Sequence, residues 1–182
     1  MLYILGGAPR CGKSIISREL VSKSQIPYFC IDFLITAYEQ VPALDIKHGQ
    51  EFVSKAEKIW KISKPMISSI LKQDPKYLIE GDGILPKHAN ELIVEFPQQE
   101  KVCFVGFTNI SLENKLKQIR SYDHIDNWTK RYSDEEMSIF INQMITYSKY
   151  IEEECRKYNI KYFDCSVNFS EYLKDVVKYL SD

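Results

Sequence analysis

Gly7-Ala8-Pro9-Arg10-Cys11-Gly12-Lys13-Ser14 (GAPRCGKS, residues 7–14) follows the pattern GxxxxGK[ST], between the apolar run Leu2–Leu5 and a helix-forming stretch that opens at Lys13. Glycines at 7 and 12 let the backbone wrap closely around phosphate oxygens. Successive N–H groups then point inward, and the following helix adds the positive end of its dipole. Lys13 can bridge the β- and γ-phosphates, and the Ser14 hydroxyl can ligate magnesium. The stretch Gly7, Ala8, Pro9, Arg10, Cys11, Gly12, Lys13, Ser14 and Ile15 is therefore expected to cradle a nucleoside triphosphate with Mg2+. Hydrogen bonds to charged groups contribute roughly 1.5–3 kcal/mol each, so several from one loop account for micromolar affinity.

Outward from this loop, short apolar runs alternate with longer helical patterns, the signature of βαβ units and a parallel sheet. The runs are Leu2–Leu5, Pro27–Ile31, Tyr77–Glu80, Lys101–Phe107 and Ile160–Phe163, each nearly continuously apolar, as strands covered on both faces must be. Helices are predicted over 13–23, 33–47, 51–73, 87–96, 112–122, 134–157 and 169–180. Pro65 should kink or divide the third. Ser133 and Glu136 spell a capping box before the sixth. The fold class expected is α/β: a three-layer α/β/α sandwich on a five-stranded parallel sheet, the P-loop NTPase fold, in one domain over residues 1–182.

Composition sets the wider limits. At 182 residues with 45% hydrophobic and 27% charged residues, the chain can bury one continuous core, and 7 Gly with 7 Pro leave no long disordered tract. Lys plus Arg total 24 against 25 Asp plus Glu, so no general field exists to capture nucleic acid or anionic lipid; neither is an expected partner. Cys11, Cys30, Cys103, Cys155 and Cys165 are odd in number and form no CxxC pair, which reads as reduced, mostly buried thiols. No segment approaches the roughly 18 apolar residues of a membrane span. MLYILGG carries no basic leader, and the expected location is cytoplasmic.

The GGAPRCGKS loop resembles that of small P-loop kinases of the nucleoside monophosphate kinase type, which include adenylate, shikimate and gluconate kinases. Residues 77–92, YLIEGDGILPKHANEL, resemble the strand and loop in which such kinases place an acidic residue before a Gly-x-Pro-basic turn; a similar acidic-Gly pattern occurs in 2-phosphoglycerate kinase-like proteins. The resemblance implies ATP as the triphosphate and a small-molecule phosphate acceptor. It places Glu80, with Asp82 as competitor, where a carboxylate orients magnesium-bound water. It places Asp32, at the end of YFCID, where a carboxylate faces the acceptor and can take its hydroxyl proton. Asp32 could instead simply cap a helix starting at Phe33. Residues 120–133, RSYDHIDNWTKRYS, fall where these kinases carry a mobile lid, and Arg120 and Arg131 would bring rigid cationic forks to the γ-phosphate. FDCSVN, residues 163–168, resembles the loop bordering the adenine ring, although Asp164 or Asn168 equally suits a turn or a cap.

Several features stay outside that pattern. The helical segment 33–73 should line the acceptor pocket, with Tyr38 and Trp60 as candidates that also suit a core. His48, His88 and His124 lack metal-ligand spacing and read as surface or ordinary polar residues. Cys11 reads as a spectator thiol. No NKxD element is present for a GTPase, since Thr108–Asn109 is none. A P-loop guarantees binding and not transfer, so a non-catalytic ATP-binding regulatory protein is the competing reading.

Overall fold

A computed structural model describes residues 1–73, 76–97, 100–122 and 128–182. The chain runs β1 (Leu2–Gly7), α1 (Lys13–Ser24), β2 (Tyr28–Cys30), α2 (Ile31–Tyr38), α3 (Phe52–Lys72), β3 (Tyr77–Gly81) and α4 (Pro86–Glu95). It continues through β4 (Glu100–Gly106), α5 (Leu112–Ser121), α6 (Asp134–Lys157), β5 (Lys161–Asp164) and α7 (Phe169–Ser181), with 3-10 turns at Pro42–Leu44 and Trp128–Arg131. The five strands are all parallel, in the order β2-β3-β1-β4-β5. Helices α1 and α7 pack on one another, α6 packs on α4 and α5, and the sheet lies between as the middle layer. No described helix is long and apolar enough to cross a membrane.

Hydrophobic burial explains this order. Every residue of β1 is buried, and Ile4, Leu5, Leu78, Ile79, Cys103 and Phe104 form the dry centre of the sheet. Placing β1 in the middle sets the topological switch at its carboxyl end, since β3 and β4 flank it on opposite sides; open α/β sheets bind ligands there. The register aligns Glu80 with Leu5 on one side and Cys30 on the other, bringing the ends of β1, β2 and β3 together. All five cysteines are free and buried.

One helix expectation is corrected and another narrowed. The segment 33–47 is not one helix: α2 ends at Tyr38 and a 3-10 turn covers Pro42–Leu44, because Pro42 has no N–H to continue the ladder and disfavours helical backbone at Val41. Conversely, α3 runs undivided from Phe52 to Lys72 with Pro65 inside it. Pro65 lies on the exposed side, where water can satisfy the carbonyl it leaves without a partner. The capping box at the start of α6 is formed as expected: Glu136 N–H donates to Ser133 Oγ at 3.2 Å, and Ser133 N–H to Glu136 Oε2 at 2.8 Å.

Candidate active site

The loop between β1 and α1 holds a shape that its residue types require. Gly7 has φ 133°, and a Cβ there would run into the Val105 backbone. Gly12 has φ 80°, and a Cβ there would lie 2.8 Å from the Phe169 ring. Arg10 also sits in the left-handed region, at φ 63°. Three contacts from outside fasten the loop: Ala8 N–H to Val105 C=O at 2.9 Å, Tyr172 OH to Cys11 C=O at 2.8 Å, and Lys115 Nζ to Arg10 C=O at 3.0 Å. Cys11 is wholly buried, and burial holds its thiol well above the ordinary pKa.

Lys13 opens α1 and folds back over the loop, donating to the carbonyls of Gly7 at 3.0 Å and Ala8 at 2.9 Å. Burial alone would lower its pKa, but the charges of Asp32, Glu80 and Asp82 outweigh burial and hold it above the ordinary lysine value. It is therefore an ammonium at neutral pH. Beside it, the Ser14 hydroxyl donates to Glu80 Oε1 at 3.5 Å. Glu80 is only 2% exposed, and its other carboxylate oxygen has no hydrogen-bond partner among the described residues. A hydroxyl and an unsatisfied carboxylate on hard oxygen atoms fit magnesium. No group of three or more His, Cys, Asp or Glu among the described residues could hold a metal by itself.

Asp32 and Asp82 occupy distinct environments. The helix α2 starts at Ile31 with Cys30 at the N-cap position, so Asp32 lies inside the first turn and does not cap it. Its Oδ1 accepts from Asp82 N–H at 3.4 Å. Burial, then the charge of Asp82, pushes the Asp32 carboxyl well above the usual range, against the pull of Lys13. Burial also acts to raise Asp82, but Lys55 and Lys13 hold it below the usual range. Lys55 Nζ lies 3.0 Å from Asp82 Oδ2 and donates to His48 C=O at 3.3 Å, while Tyr147 OH donates to Asp82 C=O at 3.0 Å. Of the two carboxylates expected near the metal, Glu80 stands against Ser14, whereas Asp82 pairs with Lys55 through Oδ2 and keeps Oδ1 without a hydrogen-bond partner among the described residues.

Lys13, Ser14, Asp32 and Glu80 share a cavity of about 460 Å³ with Pro9, Arg10, Gly12 and Ile15. Lys115, Tyr122, Trp128 and Phe169 also line it. The volume suits a small ligand.

Arg120 and Arg131 do not line this cavity. Arg120 donates to the carbonyls of Thr129 at 2.7 Å and Tyr132 at 2.8 Å and pairs with Asp134 at 2.8 Å, fastening the Trp128–Arg131 turn to α5. Its fork matches converging carbonyls as well as phosphate oxygens, so residue type alone could not separate the two roles. Arg131 is an exposed member of that turn. Residues 123–127 of the expected lid, His124 included, lie outside the described residues. Asp164 accepts from the N–H groups of Thr108 and Ser166 at 2.9 and 2.7 Å, tying two loops together, and Asn168 caps α7.

On the acceptor side, Trp60 is buried, stacked on His88 at 4.5 Å, and donates to Glu91 at 3.0 Å. Tyr38 packs partly buried against the core. His88 is not at the surface: it is 1% exposed, and its Nδ1 accepts from Leu85 N–H at 3.2 Å at the start of α4. Burial lowers its pKa from 6.5 to about 4, against the charge of Glu57. The unfolded chain therefore binds the extra proton first, and stability falls as pH drops from about 6.5 towards 4. Urea midpoints measured across that window should fall for the wild type and fall less steeply for His88→Phe; equal slopes would contradict this origin.

Residue-type reasoning overlooked Lys55, Lys115 and Tyr147. The two lysines carried a signal: each falls on the apolar stripe of its helix, Lys55 with Ala56, Ile59 and Ile67, and Lys115 with Ile119. Lysine is almost never fully buried without a partner.

No protein-family model matches the chain, and no curated protein sequence matches it. Among solved structures it is similar to a shikimate kinase from Bacteroides thetaiotaomicron, at 16% identity and TM-score 0.58 over 100% of this chain and 96% of that one. It is similar to a shikimate kinase from Aquifex aeolicus, at 16% identity and TM-score 0.52 over 100% and 96%. A gluconokinase from Sinorhizobium meliloti matches at 10% identity and TM-score 0.52 over 99% and 90%. The fold is that of small P-loop kinases.

Proposed function

We propose that the chain is an ATP-dependent kinase that transfers the γ-phosphate to a hydroxyl of a small metabolite. One observation carries this reading: the cavity that presents Lys13 and Ser14 to a polyphosphate also presents the Asp32 carboxylate. A phosphate cradle needs no such base, whereas phosphoryl transfer to an alcohol requires a group to take the hydroxyl proton.

Loop N–H groups and the start of α1 would hold the phosphates, and Lys13 would exchange the Gly7 and Ala8 carbonyls for phosphate oxygens. Ser14 and Glu80 would hold Mg2+, which when bound neutralises charge on the β- and γ-oxygens. Asp32 orients the acceptor hydroxyl and receives its proton. Burial and the charge of Asp82 raise its pKa, which makes the carboxylate a stronger base than a solvated one.

Asp32→Asn keeps the shape and removes the base. Acceptor-dependent ADP release should fall by about 10²–10⁴ while ATP affinity stays within about threefold. Unchanged transfer by the variant would refute the assignment.

A further inference from the structure

Lys115 lines the same cavity as Lys13, and its buried ammonium also binds the phosphate loop itself. It projects from α5, a helix more than a hundred residues from the loop in sequence, yet it is 2% exposed. Burying an ammonium is costly unless polar groups replace its water. Lys115 Nζ donates to the carbonyl of Arg10 at 3.0 Å and stands 3.8 Å from the centre of the Phe107 ring, itself fully buried just after β4. The carbonyl it grips belongs to a non-glycine residue in the left-handed region, at φ 63°. Such a conformation persists only where its surroundings enforce it. The Arg10 guanidinium lies over the Tyr122 ring, 5.3 Å from its centroid.

We infer that Lys115 is a positioning residue: a staple from α5 that holds the tip of the phosphate loop in its left-handed turn, so that the loop meets a nucleotide already shaped. Phe107 fixes the ammonium from below, and Arg10 C=O is the group it fixes. The inference rests on the nucleotide-binding reading of residues 7–14 and assigns a role outside that motif. A preshaped loop avoids the ordering cost on binding, so loss of the staple weakens binding.

The test is calorimetric titration of the full chain with MgATP, using Lys115→Met, Arg10→Gly and the double variant. Glycine adopts the left-handed turn without help, so the staple should matter less once Arg10 is replaced. K115M should weaken ATP binding by about 10- to 100-fold in the native background and by about threefold or less in the R10G background. Equal losses in the two backgrounds, or no loss in the first, would overturn the inference. Should K115M not fold, Lys115→Gln carries the test, because its amide still donates to a carbonyl. Its loss should stay under about threefold, and a loss above about tenfold would overturn the inference. A wild type that binds no MgATP at all refutes the underlying nucleotide reading, an outcome separate from either.

Discussion

Lys13→Ala should lower ATP-dependent turnover by about three orders of magnitude or more, and calorimetric titration should detect little or no MgATP binding. The side chain both folds over the loop, through the Gly7 and Ala8 carbonyls, and opens onto the cavity shared with Asp32 and Glu80. Its loss removes a charge that stabilises the transferring phosphoryl group and leaves acidic side chains facing an incoming polyphosphate. The sheet centre around Ile4, Leu5 and Phe104 is untouched, so the far-ultraviolet dichroism of the variant should match the wild type. A variant with unchanged ATP affinity and rate would contradict the assignment of the loop.

The second large effect concerns stability. Lys55→Met should destabilise the fold by about 3–5 kcal/mol, because it leaves Asp82 buried without its cation. Lys55 is 1% exposed, and its ammonium holds together Asp82, the carbonyl of His48 and, through a ring contact at 5.0 Å, Phe52, which stacks on Tyr147 at 4.6 Å. Typical domains are stable by only about 5–15 kcal/mol, so this is a large share of the total. The double variant Lys55→Met with Asp82→Asn should recover much of the loss, since no unpaired charge then remains. Urea unfolding checks both; a single-variant loss under about 1 kcal/mol would show that water already reaches the pair.

What could be read from residue order was whatever depends on local pattern. Five apolar runs located five strands, and the Gly7–Ser14 spacing located the loop at the end of the first. The Ser133 and Glu136 pair located the start of α6 to the residue, because a capping box is a local exchange of hydrogen bonds. What could not be read depends on groups distant in sequence. Whether Asp32 caps a helix or faces a cavity turned on α2 starting two residues earlier than expected, at Ile31. The separate surroundings of Glu80 and Asp82 depend on Lys55, a helix face away. Arg120 meets two carbonyls and a carboxylate that its own segment presents once the Trp128–Arg131 turn forms. The buried lysines were visible as charges on apolar stripes, but a stripe does not say which acceptor waits opposite.

The central claim is transfer, and labelled ATP tests it most directly. The chain, incubated with magnesium, ATP labelled in the γ-phosphate and a panel of small hydroxylated metabolites, should move label onto an alcohol oxygen of at least one acceptor and release ADP in step. Tight ATP binding with no labelled product from any acceptor would contradict the kinase reading and leave a nucleotide-binding protein without transfer.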